Sequence, residues 1–243
     1  MKVAAIIQAR MGSTRLPGKV LKQVLGKALL TYEIERVQRA RDIDQLLVAT
    51  TKESADDAIV SLCKSINVPC FRGSEADVLE RYYLAAVREK ADVIVRLTAD
   101  CPLIDPAQID KVTETFFHHD YPLQYVSNTL NRTLPRGMDT EVFSLQALTE
   151  AYQNASLQSE REHVTRYMVS HPEIFHLRNV SNSINYSKHR WTVDTAEDFK
   201  LVRKIIENLY PAKPHFTMED IIQLLEQKPE WKAINAHVEQ KKD

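Results

Sequence analysis

Residues Ala9-Arg10-Met11-Gly12-Ser13-Thr14-Arg15-Leu16-Pro17-Gly18-Lys19 combine the residue types that hold an anion. Gly12 lets backbone amides approach an oxyanion with no side chain between them. Ser13 and Thr14 can donate hydroxyl hydrogen bonds. Arg10, Arg15 and Lys19 supply charge-assisted contacts to phosphate oxygens. No Asp or Glu occurs from Met1 to Tyr32, whereas Lys2, Arg10, Arg15, Lys19, Lys22 and Lys27 all do, in a chain whose net charge is −1. The local field is therefore positive, although a solvated surface run has the same composition. The loop is not a P-loop, because Val20 follows Gly18-Lys19, and it lacks G-x-G-x-x-G.

Two carboxylates follow apolar runs. Asp100 lies in Thr98-Ala99-Asp100-Cys101-Pro102, and Asp194 ends Trp191-Thr192-Val193-Asp194. Each has a functional reading as a metal ligand and a local one: Asp100 as a strand-end cap, Asp194 as a cap for the next helix. Asp139 and Glu141, in Arg136-Gly137-Met138-Asp139-Thr140-Glu141, are either exposed turn acids or ligands. His163 is either a surface or packed histidine or part of a pocket. Cys63 and Cys70 read as core, and Cys101 lacks a positioned base that would make it a nucleophile.

These residues need a scaffold, and the pattern supplies one. Val3–Ile7, Leu46–Ala49, Val68–Phe71 and Val93–Val95 are short apolar runs, as expected for buried parallel strands. Helical spacing separates them: Leu30, Ile34 and Val37; Ile59, Leu62, Cys63 and Ile66 after a start at Ser54–Asp57; Val78, Leu79, Tyr82 and Ala86. Alternation of this kind implies an α/β fold, a mostly parallel sheet with helices on both faces. Ligands then bind beyond the carboxyl ends of the strands. The basic loop, Arg72-Gly73-Ser74 and Asp100 converge on that edge. From about 121 to 180 the pattern shifts. Tyr125–Ser127 and Glu141–Phe143 read as strands and Ser159–His171 as a helix, in a small arm outside the parallel core. Trp191–Asp194 reads as a last strand. Thr195–Asp198 and Thr217–Asp220 read as capping boxes that start helices, and Glu239–Asp243 as a fraying tail.

The chain of 243 residues suits a single domain. Its 32 basic and 33 acidic residues argue against nucleic-acid and membrane-surface partners. Val3–Ile7 is too short for a signal core or a spanning helix. Three cysteines without metal or disulfide spacing suit a reducing cytoplasm. Gly is scarce, at 5 residues against the roughly 7% of average usage, so each glycine reads as a special backbone position.

The loop Ala9–Lys19 resembles the signature of the CMP-sugar synthetases, including those for 3-deoxy-manno-octulosonate and sialic acids. The likeness extends to Asp100-Cys101-Pro102-Leu103 and Thr192–Asp198. With Arg136–Glu141 and Arg161-Glu162-His163-Val164-Thr165, the sequence is most similar to the spore-coat polysaccharide branch. The resemblance implies a Rossmann-like sheet of the glycosyltransferase-A kind, Mg²⁺, CTP, a sugar acceptor and a homodimer. It implies that Arg10 and Lys19 hold the β- and γ-phosphates, with Ala9, Gly12, Ser13, Arg15 and Thr98 in the nucleotide site and Asp100 among the catalytic groups. It implies Mg²⁺ on Asp100 and Asp194, whose carboxylates should then lie within about 6 Å of each other. Arg72, Ser74, Asp77 and Arg81 should lie near base and ribose. Arg136, Gly137, Asp139, Glu141, His163 and Arg166 should border the sugar, with Gly137 giving it close backbone access and His163 and Arg166 sharing one helix face. Where the keto-acid synthetases have Gln-Gly-Asp-Glu-Pro, this chain has Thr98-Ala99-Asp100-Cys101-Pro102.

The expected reaction is in-line attack of a sugar hydroxyl on the α-phosphate with loss of pyrophosphate, a reaction of positioning and charge neutralisation. No residue stands out as a general base. Two rivals remain: a glycosyltransferase holding its metal on Asp139-x-Glu141, and a catalytically weak nucleotide-binding partner of a polysaccharide pathway.

Overall fold

The computed structural model describes residues 1–118, 121–122 and 124–240. Val3 to Ile7 of β1 (Val3–Gln8) are all buried, since a central strand is covered on both faces. Val3, Ala5 and Ile7 enter one core layer and Ala4 and Ile6 the other. A small hairpin, β2 (Gln23–Val24) and β3 (Lys27–Ala28), leads into α1 (Leu29–Val37). There follow β4 (Gln45–Thr51), α2 (Asp57–Ser65), β5 (Cys70–Gly73), α3 (Val78–Arg88), β6 (Val93–Thr98) and α4 (Pro106–Phe117). Helices α1, α2 and α4 cover one face. Helix α3 covers the other, joined by α5 (Leu145–Asn154) and α7 (Arg166–Ser170).

The segment expected as an arm does not leave the sheet. β7 (Gln124–Ser127), β8 (Glu141–Ser144) and β9 (His176–Asn179) complete seven strands in the order β5-β4-β1-β6-β8-β7-β9. β8 is antiparallel to β6 and β7, and the remaining pairs are parallel. The physical reason is burial on both faces. Val126 and Val142 join one core layer, Tyr125 and Phe143 the other. Strands apolar on both sides must lie inside a layered sheet.

Other local expectations shift. The helix expected over Ser159–His171 is two short ones, α6 (Gln158–Glu162) and α7, broken at His163–Thr165. The strand expected at Trp191–Asp194 is an extended segment outside the sheet, joined by a bridge between Arg136 and Arg190 and by the Val193 amide, which donates to the Asp100 carbonyl at 2.8 Å. Ser54 does not cap α2 through its side chain. The boxes at Thr195 and Thr217 form as expected and start α8 (Ala196–Leu209) and α9 (Met218–Gln227), before the short α10 (Pro229–Lys232). These C-terminal helices pack with Trp191, Val193, Leu29 and Tyr32 into a third apolar cluster. Within the described residues no helix is long and apolar enough to cross a membrane. Residues 241–243 of the expected fraying tail lie outside the described residues.

Candidate functional site

The loop after β1 is held by groups that donate to or accept from its own backbone. Ser13 and Gly18 amides donate to the Met11 carbonyl, at 2.8 and 3.1 Å. The Met11 amide donates to Asp56 Oδ1 at 2.7 Å. Asp56, read in the sequence only as a helix start, is buried and also accepts from the Thr51 hydroxyl. Burial pushes its carboxyl up, but bonds from Thr51 and Met11 outweigh that and hold it below its ordinary value. With the loop so fixed, the amides of Gly12, Thr14 and Arg15 have no acceptor within the described residues. They are donors available to an anion.

The carboxyl end of β6 carries Asp100, and the extended segment after Arg190 carries Asp194. Lys19 joins them: its Nζ lies 3.0 Å from Asp100 Oδ2 and 2.8 Å from Asp194 Oδ1. Two carboxylates this close to one nitrogen lie within the roughly 6 Å expected of a shared cation. Burial opposes the ammonium charge, yet Asp100 and Asp194 prevail and hold Lys19 above the usual lysine value. Burial raises Asp100, while Lys19 and the Thr98 hydroxyl overcome it and leave it below the usual range. Asp194 also pairs with Arg15 at 3.1 Å and Arg190 at 2.7 Å. It is not the cap of α8, since Thr195 and Asp198 form that box. Arg190 was missed in the sequence; the only signal was an arginine four residues before Asp194, following Lys188 and His189.

Arg10, Gly12, Ser13, Arg15 and Lys19 line a cleft of about 300 Å³ with Thr98, Asp100 and Asp194. Ala9 lines it too. Thr98, Asp100 and Asp194 also line an adjoining space of about 140 Å³ with Arg136, Gly137 and Asp139. The cleft thus gathers cations and free amides of the loop with a pair of carboxylates bridged by the Lys19 ammonium. Hard oxygen donors beside open space fit Mg²⁺, which takes one or two carboxylates and fills its remaining positions with phosphate and water. No third His, Cys, Asp or Glu joins them in a metal-holding group among the described residues.

Several expected residues lie elsewhere. Arg72 is bound to Asp57, the Thr51 carbonyl and the Glu53 carbonyl, and lines no part of the cleft. Ser74 and Asp77 are turn and cap groups, and Asp77 pairs with Arg161 at 2.5 Å. Of that stretch Arg81 does face a cavity, of about 140 Å³, shared with Arg10 and His163. Glu141 is buried and accepts from Tyr125, Thr165 and Arg96. Burial raises its carboxyl, but Arg96 and those hydroxyls keep it ionised. Asp139 is held by Arg132 at 2.5 and 2.7 Å. Asp139 and Glu141 therefore belong to different networks and share no cation. Gly137 has φ +105°, and a Cβ there would sit 2.8 Å from the Trp191 carbonyl carbon. Its missing side chain admits that backbone, not a ligand. His163 lies just past the end of α6 and Arg166 begins α7, so they share no helix face, and the cavity beside His163 is not the one beside Arg136. Arg166 is exposed.

Glu33 was also missed. It is wholly buried beneath the centre, with Oε2 accepting from the Cys101 amide at 3.3 Å and Oε1 without a partner among the described residues. Burial, then Asp100, pushes its carboxyl well above the ordinary range. Burial, then Asp100 and Glu33, push the Cys101 thiol well above its ordinary value.

The cytidylyltransferase family profile matches residues 4–242. The chain belongs to the cytidylyltransferase family. It is 32% identical to the spore coat polysaccharide biosynthesis protein SpsF of Bacillus subtilis, over 93% of this chain and 94% of that one. A cytidylyltransferase structure from Leptospira borgpetersenii superposes with a TM-score of 0.91 at 34% identity, covering 100% of both chains. A 3-deoxy-manno-octulosonate cytidylyltransferase of Geobacter metallireducens is 35% identical over 46% of this chain and 43% of that one. Sugar-acid cytidylyltransferases are thus among its relatives, and the Rossmann-like nucleotidyltransferase fold expected from the sequence is the one observed.

Proposed function

We propose that this enzyme transfers CMP from CTP to a sugar acid with release of pyrophosphate, in the assembly of a polysaccharide. The observation that carries the reading is the convergence of Lys19, Asp100 and Asp194 at the mouth of a cleft whose other wall is the basic loop. Arg10, Arg15 and the open amides bind the triphosphate, and Lys19 turns from the carboxylates to the leaving pyrophosphate. Asp100 and Asp194 would hold Mg²⁺, which when bound supplies charge neutralisation at the phosphates. Arg190 and Thr98 keep the two carboxylates aimed into the cleft. Arg136 faces the adjoining space and offers a planar pair of donors to the sugar's carboxylate.

Pyrophosphate release, measured for each of the four nucleoside triphosphates against a panel of sugar acids, tests this. CTP with a sugar acid should give the highest rate, and Mg²⁺ removal should abolish it. Release of a nucleoside diphosphate from a sugar nucleotide, or binding of CTP with no turnover, would defeat the reading. The same family likeness supports a twofold homodimer in the cytoplasm. Sedimentation as a monomer at working concentration would remove the dimer.

A further inference from the structure

Behind Arg136 lies a second and larger cavity, of about 460 Å³. That is within the size of small-molecule pockets, roughly 300–1,000 Å³. Arg136, Lys188, His189, Arg190, Trp191 and Lys232 line it, and no Asp or Glu does. Arg190 is committed to Asp194 and Asp198. Arg136 is not: its side chain has no ion pair within the described residues, and burial, then Arg132, pushes its pKa down. His189 is likewise lowered by burial and then by Lys232, with Glu226 opposing. The positive charge of this cavity is therefore largely uncompensated by its own walls.

The wall of the cavity also holds an unpaired donor. Trp191 forms part of the wall and is wholly buried, yet its indole N–H has no acceptor among the described residues. Buried donors are rarely left unpaired. The cavity adjoins the proposed centre, because Arg136 and Gln240 line both it and the space beside Asp100 and Asp194. Gln240 is fixed there by accepting from Arg190 at 2.6 Å, and Asn235 holds the preceding chain by donating to the Arg190 carbonyl at 2.9 Å.

We propose that this cavity receives the remote end of the acceptor and selects one that carries an oxyanion, carboxylate or phosphate, at that end. The inference rests on the reading of the Asp100–Asp194 cleft as the transfer centre. An acceptor with its hydroxyl at that centre would extend past Arg136 and place its far end beside Lys188 and Lys232. A neutral sugar would leave those groups unmatched.

Tryptophan fluorescence and calorimetry on the full chain test it, with inorganic phosphate, glucose 6-phosphate, gluconate and glucose as probes. At least one anion should bind saturably and glucose should not. The stronger of glucose 6-phosphate and gluconate identifies which oxyanion the cavity prefers. Lys188 and Lys232 are exposed, so the double variant Lys188→Ala/Lys232→Ala should stay folded, and it should bind that anion about tenfold or more weakly. No saturable anion binding, or equal binding by the double variant, overturns the proposal. CTP titrated alongside separates the two readings. CTP binding with no anion binding overturns the cavity inference alone. Anion binding with no CTP binding overturns the cleft reading and with it the acceptor role.

Discussion

Two carboxylate–cation clusters stand near the carboxyl end of β6, and only one of them can change partners. Asp100 and Asp194 meet Lys19, Arg15 and Arg190; Glu141 meets Arg96, Tyr125 and Thr165. Exposure hardly separates them, since the Asp194 and Glu141 side chains are 13% and 10% exposed. The partners do. Tyr125 and Thr165 are themselves buried in the sheet and its covering layer, so Glu141 cannot release them without opening the core. Arg15 and Lys19 ride on a loop beside open space, where the proposed triphosphate would draw them away. A carboxylate in a family motif is thus a site when its counter-ions can leave, and a structural part when they cannot.

The largest expected effect probes the sealed cluster. Glu141→Ala strands the Arg96 guanidinium beside the sheet and should cost about 3–5 kcal/mol of stability, the usual result of removing one partner of a buried pair. Asp100→Asn should cost far less stability and lower pyrophosphate release by roughly a hundredfold, as loss of a transition-state electrostatic group does. Urea unfolding and turnover, measured on both variants, check this. Equal stability losses would break the contrast.

Next in size is the exchangeable cation. Lys19→Ala should weaken CTP binding tenfold or more, since a charge-assisted contact is worth about 1.5–3 kcal/mol. Calorimetry on the folded variant reads it. Unchanged affinity would mean that Lys19 stays with the carboxylates when nucleotide is bound.

Much of this was legible in the sequence, for reasons that also explain the rest. Strands buried on both faces are near-continuous apolar runs, so β1, β4 and β6 stood out, and the loops after β1 and β6 converged as expected, whereas Arg72-Gly73-Ser74 after β5 did not join them. Loop composition alone marked Arg10, Gly12, Arg15 and Lys19. Glu141 and Arg72 misled because a sequence shows a charge and not what neutralises it; Arg96 lies 45 residues from Glu141. Asp56 and Glu33 act through backbone amides, Met11 and Cys101, which leave no trace in residue type. The strands after 121 were mistaken for an arm because a short β7–β8 pair carries too few residues to show that both its faces are apolar.

The two glycines sharpen the comparison at lower cost. At Gly137 a methyl group would meet the Trp191 and Thr192 backbone at 2.8–2.9 Å, in a conformation that side chains avoid. Gly137→Ala should lose about 1–3 kcal/mol. At Gly12 the nearest atom to such a methyl is 3.6 Å away, on the Glu75 side chain. Nothing in the fold requires that glycine, so Gly12→Ala should change stability by less than about 0.5 kcal/mol while weakening CTP binding. A stability loss at Gly12 equal to that at Gly137 would assign its small size to the fold.

The finest contrast is a difference in sign between two carboxyls of the same centre. Asp100 is held below its ordinary value, so its contribution to stability is present above the unfolded value and disappears as pH falls through the folded one. Glu33 is raised well above its ordinary value by burial and by Asp100, against the pull of the Cys101 amide and Lys19. Between the unfolded and folded values of Glu33, the folded chain carries a proton that the unfolded chain has lost. Stability therefore falls with rising pH across that window, by up to about 1.4 kcal/mol per pH unit. Glu33→Gln is neutral in both states and lacks this slope. The variant should gain on the wild type as pH rises above the ordinary glutamate value, read as the difference between their urea midpoints. Parallel profiles would mean that Glu33 is ionised when folded. Lys19 would then face three carboxylates instead of two, and the loop cation would be far harder for a nucleotide to draw away.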